Sequence, residues 1–260
     1  MTITPPVAKK VPHERTHHGD TFIDNYEWLR AKDDPEVIAH LEAENAYTEQ
    51  QTAGLESLRG KIFDEIKSRT QETDLSVPTR MGQWWYYSRT VEGQSYGLQC
   101  RCPVDSPDDW TPPTLSSDVD VPGEQILLDA NEEAKGHDFF SLGAFSISLD
   151  GNLLAYSTDT EGDERYTLRF KNLETGELLA DTIENVAPGA TWTADATHVF
   201  YLTVDESWRP DTVWRHTLGK SGDVKVFHEP DESYWVGFGS TRSEKYLMIW
   251  VGSKITSECL

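Results

Sequence analysis

Long apolar runs are missing from this 260-residue chain: no segment approaches the ~18 consecutive apolar residues of a membrane-spanning helix. Met1 to Lys10 are polar with two prolines and have no apolar core, so no secretory leader is expected and the expected compartment is the cytoplasm. Basic residues are few. The 23 Lys and Arg face 45 Asp and Glu, a net charge of −22. That balance disfavours nucleic acid and anionic membrane as partners and draws cationic ligands from a distance, although acidity also serves solubility alone. Cysteine is scarce and odd in number: Cys100, Cys102 and Cys259 make no disulfide framework. Cys100 and Cys102 would share one face of a strand, without the further ligands of a zinc site. No metal and no cofactor are expected.

What the chain has is aromatics, nine Trp, ten Tyr and nine Phe, which suit a β-rich fold. It also has a repeat. Ser148-Leu149-Asp150-Gly151-Asn152-Leu153-Leu154-Ala155-Tyr156 is echoed 45 residues later by Thr193-Ala194-Asp195-Ala196-Thr197-His198-Val199-Phe200-Tyr201. A looser echo, Thr241-Arg242-Ser243-Glu244-Lys245-Tyr246-Leu247-Met248-Ile249, follows after another 48. Each copy is a polar turn leading into an apolar and aromatic strand. Spacing of this size predicts a β-propeller, whose four-stranded blades bury their faces against neighbouring blades. With repeats starting near Gly82, Ser148, Thr193 and Thr241, about four blades are expected, so the ring is incomplete.

Ahead of the blades the pattern is helical. Asp34-Pro35 offers a cap and a first helical residue, followed by Val37, Ile38 and Leu41 on one side, running toward Tyr47. Leu55, Leu58, Ile62, Phe63 and Ile66 make a second apolar stripe, with Lys67 and Arg69 near its end. The expected division is a helical segment over residues 1–75 and an incomplete propeller over 76–260. Within the first blade, the stretch from Pro103 to Gly123 is rich in Pro, Asp and Ser and reads as a surface loop.

Two motifs have the spelling of catalytic sites. Gly93-Gln94-Ser95-Tyr96-Gly97 fits G-x-S-x-G, which works as a nucleophile elbow only between a strand and a helix. Here a second strand is expected after it, so the segment reads as a hairpin turn. His13-Glu14-Arg15-Thr16-His17 fits H-E-x-x-H, which binds zinc from one face of a long helix. Pro12 and Gly19 flank it closely and no apolar stripe would bury such a helix, so a polar loop is expected. His198, His216 and His228 lie on separate expected strands as structural or surface groups. Asp150 and Asp195 read as turn formers, and Trp84, Trp85, Trp192, Trp214 and Trp235 as packing between blades.

With these residues laid out, the chain resembles the oligopeptidase B branch of the prolyl oligopeptidase family of serine peptidases. The resemblance rests on His17-His18-Gly19-Asp20, Asp24-Asn25-Tyr26-Glu27-Trp28-Leu29-Arg30, Glu44-Asn45-Ala46-Tyr47 and Glu72-Thr73-Asp74-Leu75-Ser76-Val77-Pro78. It continues through Trp85-Tyr86-Tyr87-Ser88-Arg89, Leu127-Leu128-Asp129-Ala130-Asn131, Gly162-Asp163-Glu164-Arg165-Tyr166 and Trp208-Arg209-Pro210-Asp211. It implies a helical segment, a seven-bladed propeller and an α/β-hydrolase domain whose Ser-Asp-His triad cleaves short peptides after Lys or Arg. No triad position falls on this chain, so no catalytic, cofactor-binding or metal residue is assigned. The family pattern breaks after Ser253-Lys254-Ile255-Thr256-Ser257-Glu258, and Cys259-Leu260 reads as an accidental end.

The leading expectation is the propeller portion of such a peptidase, inactive alone, with short cationic peptides and the hydrolase domain as partners of the whole enzyme. The alternatives are a stand-alone propeller binding module and a small zinc peptidase using His13 and His17.

Overall fold

The computed structural model describes residues 4–115 and 121–260. Residues 116–120 of the expected Pro103–Gly123 loop and residues 1–3 of the N-terminal stretch lie outside the described residues. The chain divides into two compact units between Gln71 and Glu72.

The first unit opens with strands, not with the expected loop. β1 (His13–His17) and β2 (Asp20–Asp24) form an antiparallel hairpin. Its two-residue turn, His18-Gly19, takes positive φ at both positions, 52° and 90°, the arrangement whose twist suits a tight hairpin. Helix α1 (Pro35–Thr52) starts as the sequence predicts: the Asp34 carboxylate accepts a hydrogen bond from the Glu36 N–H at 2.8 Å, with proline in the first turn. Val37 is buried in it. Helix α2 (Glu56–Ser68) buries none of its residues, and its apolar stripe is open, with Phe63 at 64% and Ile66 at 62% exposure.

The second unit is four successive antiparallel sheets. The first holds β3 (Thr79–Met81), β4 (Trp84–Arg89), β5 (Leu98–Pro103) and β6 (Gln125–Asp129). The second holds β7 (Ser141–Ile147), β8 (Leu153–Asp159), β9 (Tyr166–Asn172) and β10 (Leu178–Val186). The third holds β11 (Ala190–Trp192), β12 (His198–Val204), β13 (Pro210–Thr217) and β14 (Val224–His228). The fourth holds β15 (Trp235–Ser240), β16 (Leu247–Gly252) and β17 (Ser257–Cys259). Strands pair in sequence order within every sheet, the meander of a propeller blade. The protein is therefore mainly β, a partial propeller of four blades.

The cores lie between blades, which is why one blade cannot stand alone. Phe170, Leu168 and Tyr166 of the second blade meet Trp192, Val199 and Tyr201 of the third. Leu202 and Val213 of the third meet Val236, Ile249 and Val251 of the fourth. Gly143 sits where the β7–β8 register shifts, and a Cβ there would fall 2.5 Å from the Tyr166 ring. Only glycine allows that approach. Cys100 and Cys102 share the buried face of β5 with Trp85 and Tyr87, and burial pushes the Cys100 thiol up to about 11.

The last blade has three strands, with β17 pairing Trp250 to Cys259 and Leu260 exchanging backbone hydrogen bonds with Ile249. One expectation fails here. Trp235 is not packed between blades. It faces Gly252 across the β15–β16 pair, which offers no side chain to cover the indole, and it is 58% exposed.

Candidate functional site

The sequence repeat is a turn held by its own side chains, and those turns build the rim of a shared cavity. In the second blade the Ser148 hydroxyl donates to Asp150 Oδ1 (2.6 Å) and accepts from the Leu153 N–H (2.9 Å). In the third, the Thr193 hydroxyl donates to Asp195 Oδ1 (2.6 Å) and accepts from the His198 N–H (3.1 Å). In the fourth, Thr241 and Ser243 hydroxyls pair at 3.0 Å, and the Tyr246 N–H reaches Thr241 Oγ1 at 3.4 Å. Hydroxyl donors from Thr193 and Thr197 hold the Asp195 carboxyl down at about 2, as hydrogen bonds to a charged form do. The carboxylates at these positions are occupied in closing turns.

The residue after the aspartate, or after Ser243 in the fourth blade, enters the left-handed region: Gly151 (φ 76°), Ala196 (55°) and Glu244 (58°) occupy equivalent places, and Gly82 (58°) serves the shorter turn of the first blade. These turns follow the first strand of each blade; those of the second, third and fourth blades and the strand end of the first line a cavity of about 210 Å³. Met81 comes from the first blade, Ser146 and Leu149 from the second, Thr191 and Trp192 from the third, Ser240 and Glu244 from the fourth. The Trp192 indole is fixed by its N–H, which donates to the Ser146 carbonyl of the neighbouring blade at 2.9 Å. A second hollow of about 430 Å³ shares Leu149, Trp192, Ser240 and Glu244 and extends toward Phe200, Lys245 and Tyr246.

Neither catalytic spelling survives in space. Ser95 lies in the connection between β4 and β5, with a strand on both sides. Asn131 pins that connection, accepting from the Tyr96 N–H (3.0 Å) and donating to the Tyr96 carbonyl (2.9 Å). No helix N-terminus follows to supply an oxyanion hole. His13 and His17 sit at opposite ends of β1, where four residues of strand span about 13 Å, too far for a shared zinc. Among the described residues, no group of three or more His, Cys, Asp or Glu is placed to hold a metal.

A second polar cluster was not visible from the sequence. His216 on β13 is buried, with Nδ1 2.8 Å from Asp223 and Nε2 3.0 Å from Asp181 of β10 in the preceding blade. Its ring stacks on Phe170 at 5.5 Å and 16°. The Tyr201 hydroxyl donates to the other Asp223 oxygen at 2.5 Å, and burial together with that bond raises the phenol well above its ordinary range. The Gly219 N–H donates to Asp181 at 2.8 Å. The cluster forms the floor of an open groove of about 780 Å³ between the second and third blades. Asp181 lies 35 residues from His216, so only the packing of one blade on the next brings them together. His198, by contrast, stays at a partly open strand position and His228 at an exposed one.

Comparison with known proteins agrees with this architecture. The family profile of the prolyl oligopeptidase N-terminal β-propeller domain matches residues 5–259. Dipeptidyl aminopeptidase BI of Pseudoxanthomonas mexicana is 41% identical, covering 98% of this chain and 36% of its own length. Protease 2 of Moraxella lacunata is 34% identical over 97% of this chain and 36% of its own length. Oligopeptidase B from Leishmania major superposes with a TM-score of 0.88 at 30% identity, covering 99% of this chain and 37% of that one. The chain thus spans little more than a third of the relatives it matches.

Proposed function

We propose, for a chain that belongs to the prolyl oligopeptidase family of peptidases, that it is the propeller portion of an oligopeptidase B-like enzyme. In this reading residues 1–75 form an N-terminal segment and 76–260 the first blades of a cap. A separate α/β-hydrolase domain carries the triad and cleaves short peptides after Lys or Arg. The observation that carries the reading is extent: the match runs over almost the whole chain yet covers only 36% of the relatives' length. The net charge of −22 favours short cationic peptides over acidic ones at the cap. Two of the three free cysteines are buried in the first blade, which fits a reducing compartment, and we place the protein in the cytoplasm.

On its own this chain is inactive. Ser95 lacks a helix behind it, and no other segment of the described residues presents a G-x-S-x-G turn. The test is hydrolysis of arginyl and lysyl amide substrates by the purified chain and by Ser95→Ala. Both are expected to match the buffer blank. Turnover that disappears in Ser95→Ala would place a working nucleophile in the propeller and overturn the reading.

A further inference from the structure

We propose that His216 is a proton-dependent latch between the second and third blades. With both ring nitrogens protonated it ties Asp223 of its own blade to Asp181 of the neighbour, and loss of one proton releases the β10 edge of that seam. The inference goes beyond the peptidase reading and does not depend on it.

The first observation is the direction of the bonds. Nδ1 lies 2.8 Å from Asp223 Oδ1 and Nε2 lies 3.0 Å from Asp181 Oδ1. Asp223 also accepts from the Tyr201 hydroxyl at its other oxygen, and the same Asp181 oxygen accepts from the Gly219 N–H. An ionised carboxylate only accepts, so the ring donates on both sides, and only the imidazolium has two N–H groups. The Tyr201 phenol keeps its proton, because burial raises it well above its ordinary range. Glu184 and Lys220 line the same groove outside these bonds. The protonated ring makes every bond of the cluster, whereas the neutral ring turns a lone pair toward one of two covered carboxylates.

The second observation is where the latch sits. Asp181 is on β10, one edge strand of the second blade. At the other edge, Ser146 of β7 takes the Trp192 indole N–H of the third blade at 2.9 Å. That second tie does not titrate, so release at β10 leaves a hinge at β7. The groove of about 780 Å³ opens over the cluster. Asp181 and Asp223 keep side-chain exposures of 12% and 18%, which lets water exchange the proton without unfolding the blades.

The neighbouring seams are tied differently. Between the first and second blades Arg101 donates to the Gly151 carbonyl and Lys171 to the Leu127 carbonyl. Between the third and fourth, Arg209 donates to the Tyr234 carbonyl just ahead of β15 at 2.9 Å. Those cations keep their charge throughout the neutral range. Among the described residues His216 is the one imidazole bonded across a seam, and an imidazole ordinarily changes charge between about pH 5 and 8. The closed seam holds the second ring proton with two carboxylates and the open seam does not. Closure is therefore favoured at low pH and weakens as pH rises.

The experiment is thermal unfolding of the 260-residue chain at low salt, where its charge of −22 keeps copies apart. The unmodified chain, His216→Gln and Asp181→Asn are compared by circular dichroism at about pH 5.5 and about pH 9, on either side of the imidazole range. The Tm advantage of the unmodified chain over His216→Gln should be at least about 5 °C at the acidic pH and fall by half or more at the alkaline one. Taking the difference cancels the other histidines and the remaining carboxylates. Asp181→Asn supplies an amide that can donate to an unprotonated Nε2. Its Tm should lie below that of the unmodified chain at the acidic pH and match or exceed it at the alkaline pH. An advantage over His216→Gln that stays constant or grows with pH overturns the latch. So does an Asp181→Asn chain whose offset from the unmodified one is the same at both pH values, and this comparison alone decides if His216→Gln does not fold.

Discussion

His216→Ala should lower the unfolding temperature of the propeller by about 10 °C, the largest effect expected of any single substitution considered. The imidazole is the only group between two carboxylates that are themselves mostly covered, with side-chain exposures of 12% for Asp181 and 18% for Asp223. Removing the imidazole takes one hydrogen bond from each of these covered carboxylates, leaving Asp181 with the Gly219 N–H and Asp223 with the Tyr201 hydroxyl, and a hydrogen bond to a charged group is worth about 1.5–3 kcal/mol. For a unit of this size each kcal/mol corresponds to about 2–4 °C. The substitution also removes the ring stacked on Phe170, so the second and third blades lose an apolar contact with the polar one. Asp181→Asn should reduce the damage in the double variant, since it removes a covered charge left with the Gly219 N–H as its remaining donor. Thermal unfolding followed by circular dichroism measures both. A shift under 2 °C for His216→Ala would mean that the cluster does not tie the blades together.

The second large effect concerns self-association. Leu58, Ile62, Phe63 and Ile66 form one side of α2 and are open to solvent, and Tyr246, Trp250 and Ile255 add exposed apolar surface on the last blade. Burying a single side chain of this size is worth about 1.5–3 kcal/mol. Repulsion between chains of charge −22 opposes contact, but it decays over about 10 Å at 0.1 M salt. Burial acts at contact and is not screened. The chain should therefore be monomeric at very low salt and associate as salt rises to 0.15 M. Replacing Ile62, Phe63 and Ile66 by serine should weaken that association at least a hundredfold, since 1.4 kcal/mol is a factor of ten. Light scattering across a salt titration decides it. A sharp monomer peak at 0.15 M salt for the unmodified chain would show that these surfaces do not drive association.

Much of the blade architecture was legible because its signals are local. The Ser148–Asp150 and Thr193–Asp195 turns close within six residues, and a turn needs nothing beyond its own hydroxyl, carboxylate and left-handed residue. The start of α1 was equally local, with Asp34 capping two residues ahead. The β1–β2 hairpin escaped notice because β1 is polar throughout and shows no period-two apolar pattern; the His18-Gly19 turn was its one available sign. Strand β17 is short and exposed, so neither its burial nor its length announced it.

The site was less legible for a different reason. Glu244 sits in the loosest copy of the repeat, and only the folded blades bring it to the same cavity as Met81, Leu149 and Trp192. His216 was one of three strand histidines until the packing of the third blade on the second placed Asp181 beside it. Packing between blades is not written in any one segment, whereas turn chemistry is.

The chain is the N-terminal propeller domain of a peptidase family, and we propose that it has no catalytic serine of its own. Treatment with a fluorophosphonate, followed by intact mass measurement, addresses it most directly because the reagent needs only an activated serine and no particular substrate. The expected result is an unchanged mass. A stoichiometric adduct on Ser95, abolished by Ser95→Ala and by prior unfolding, would contradict the account.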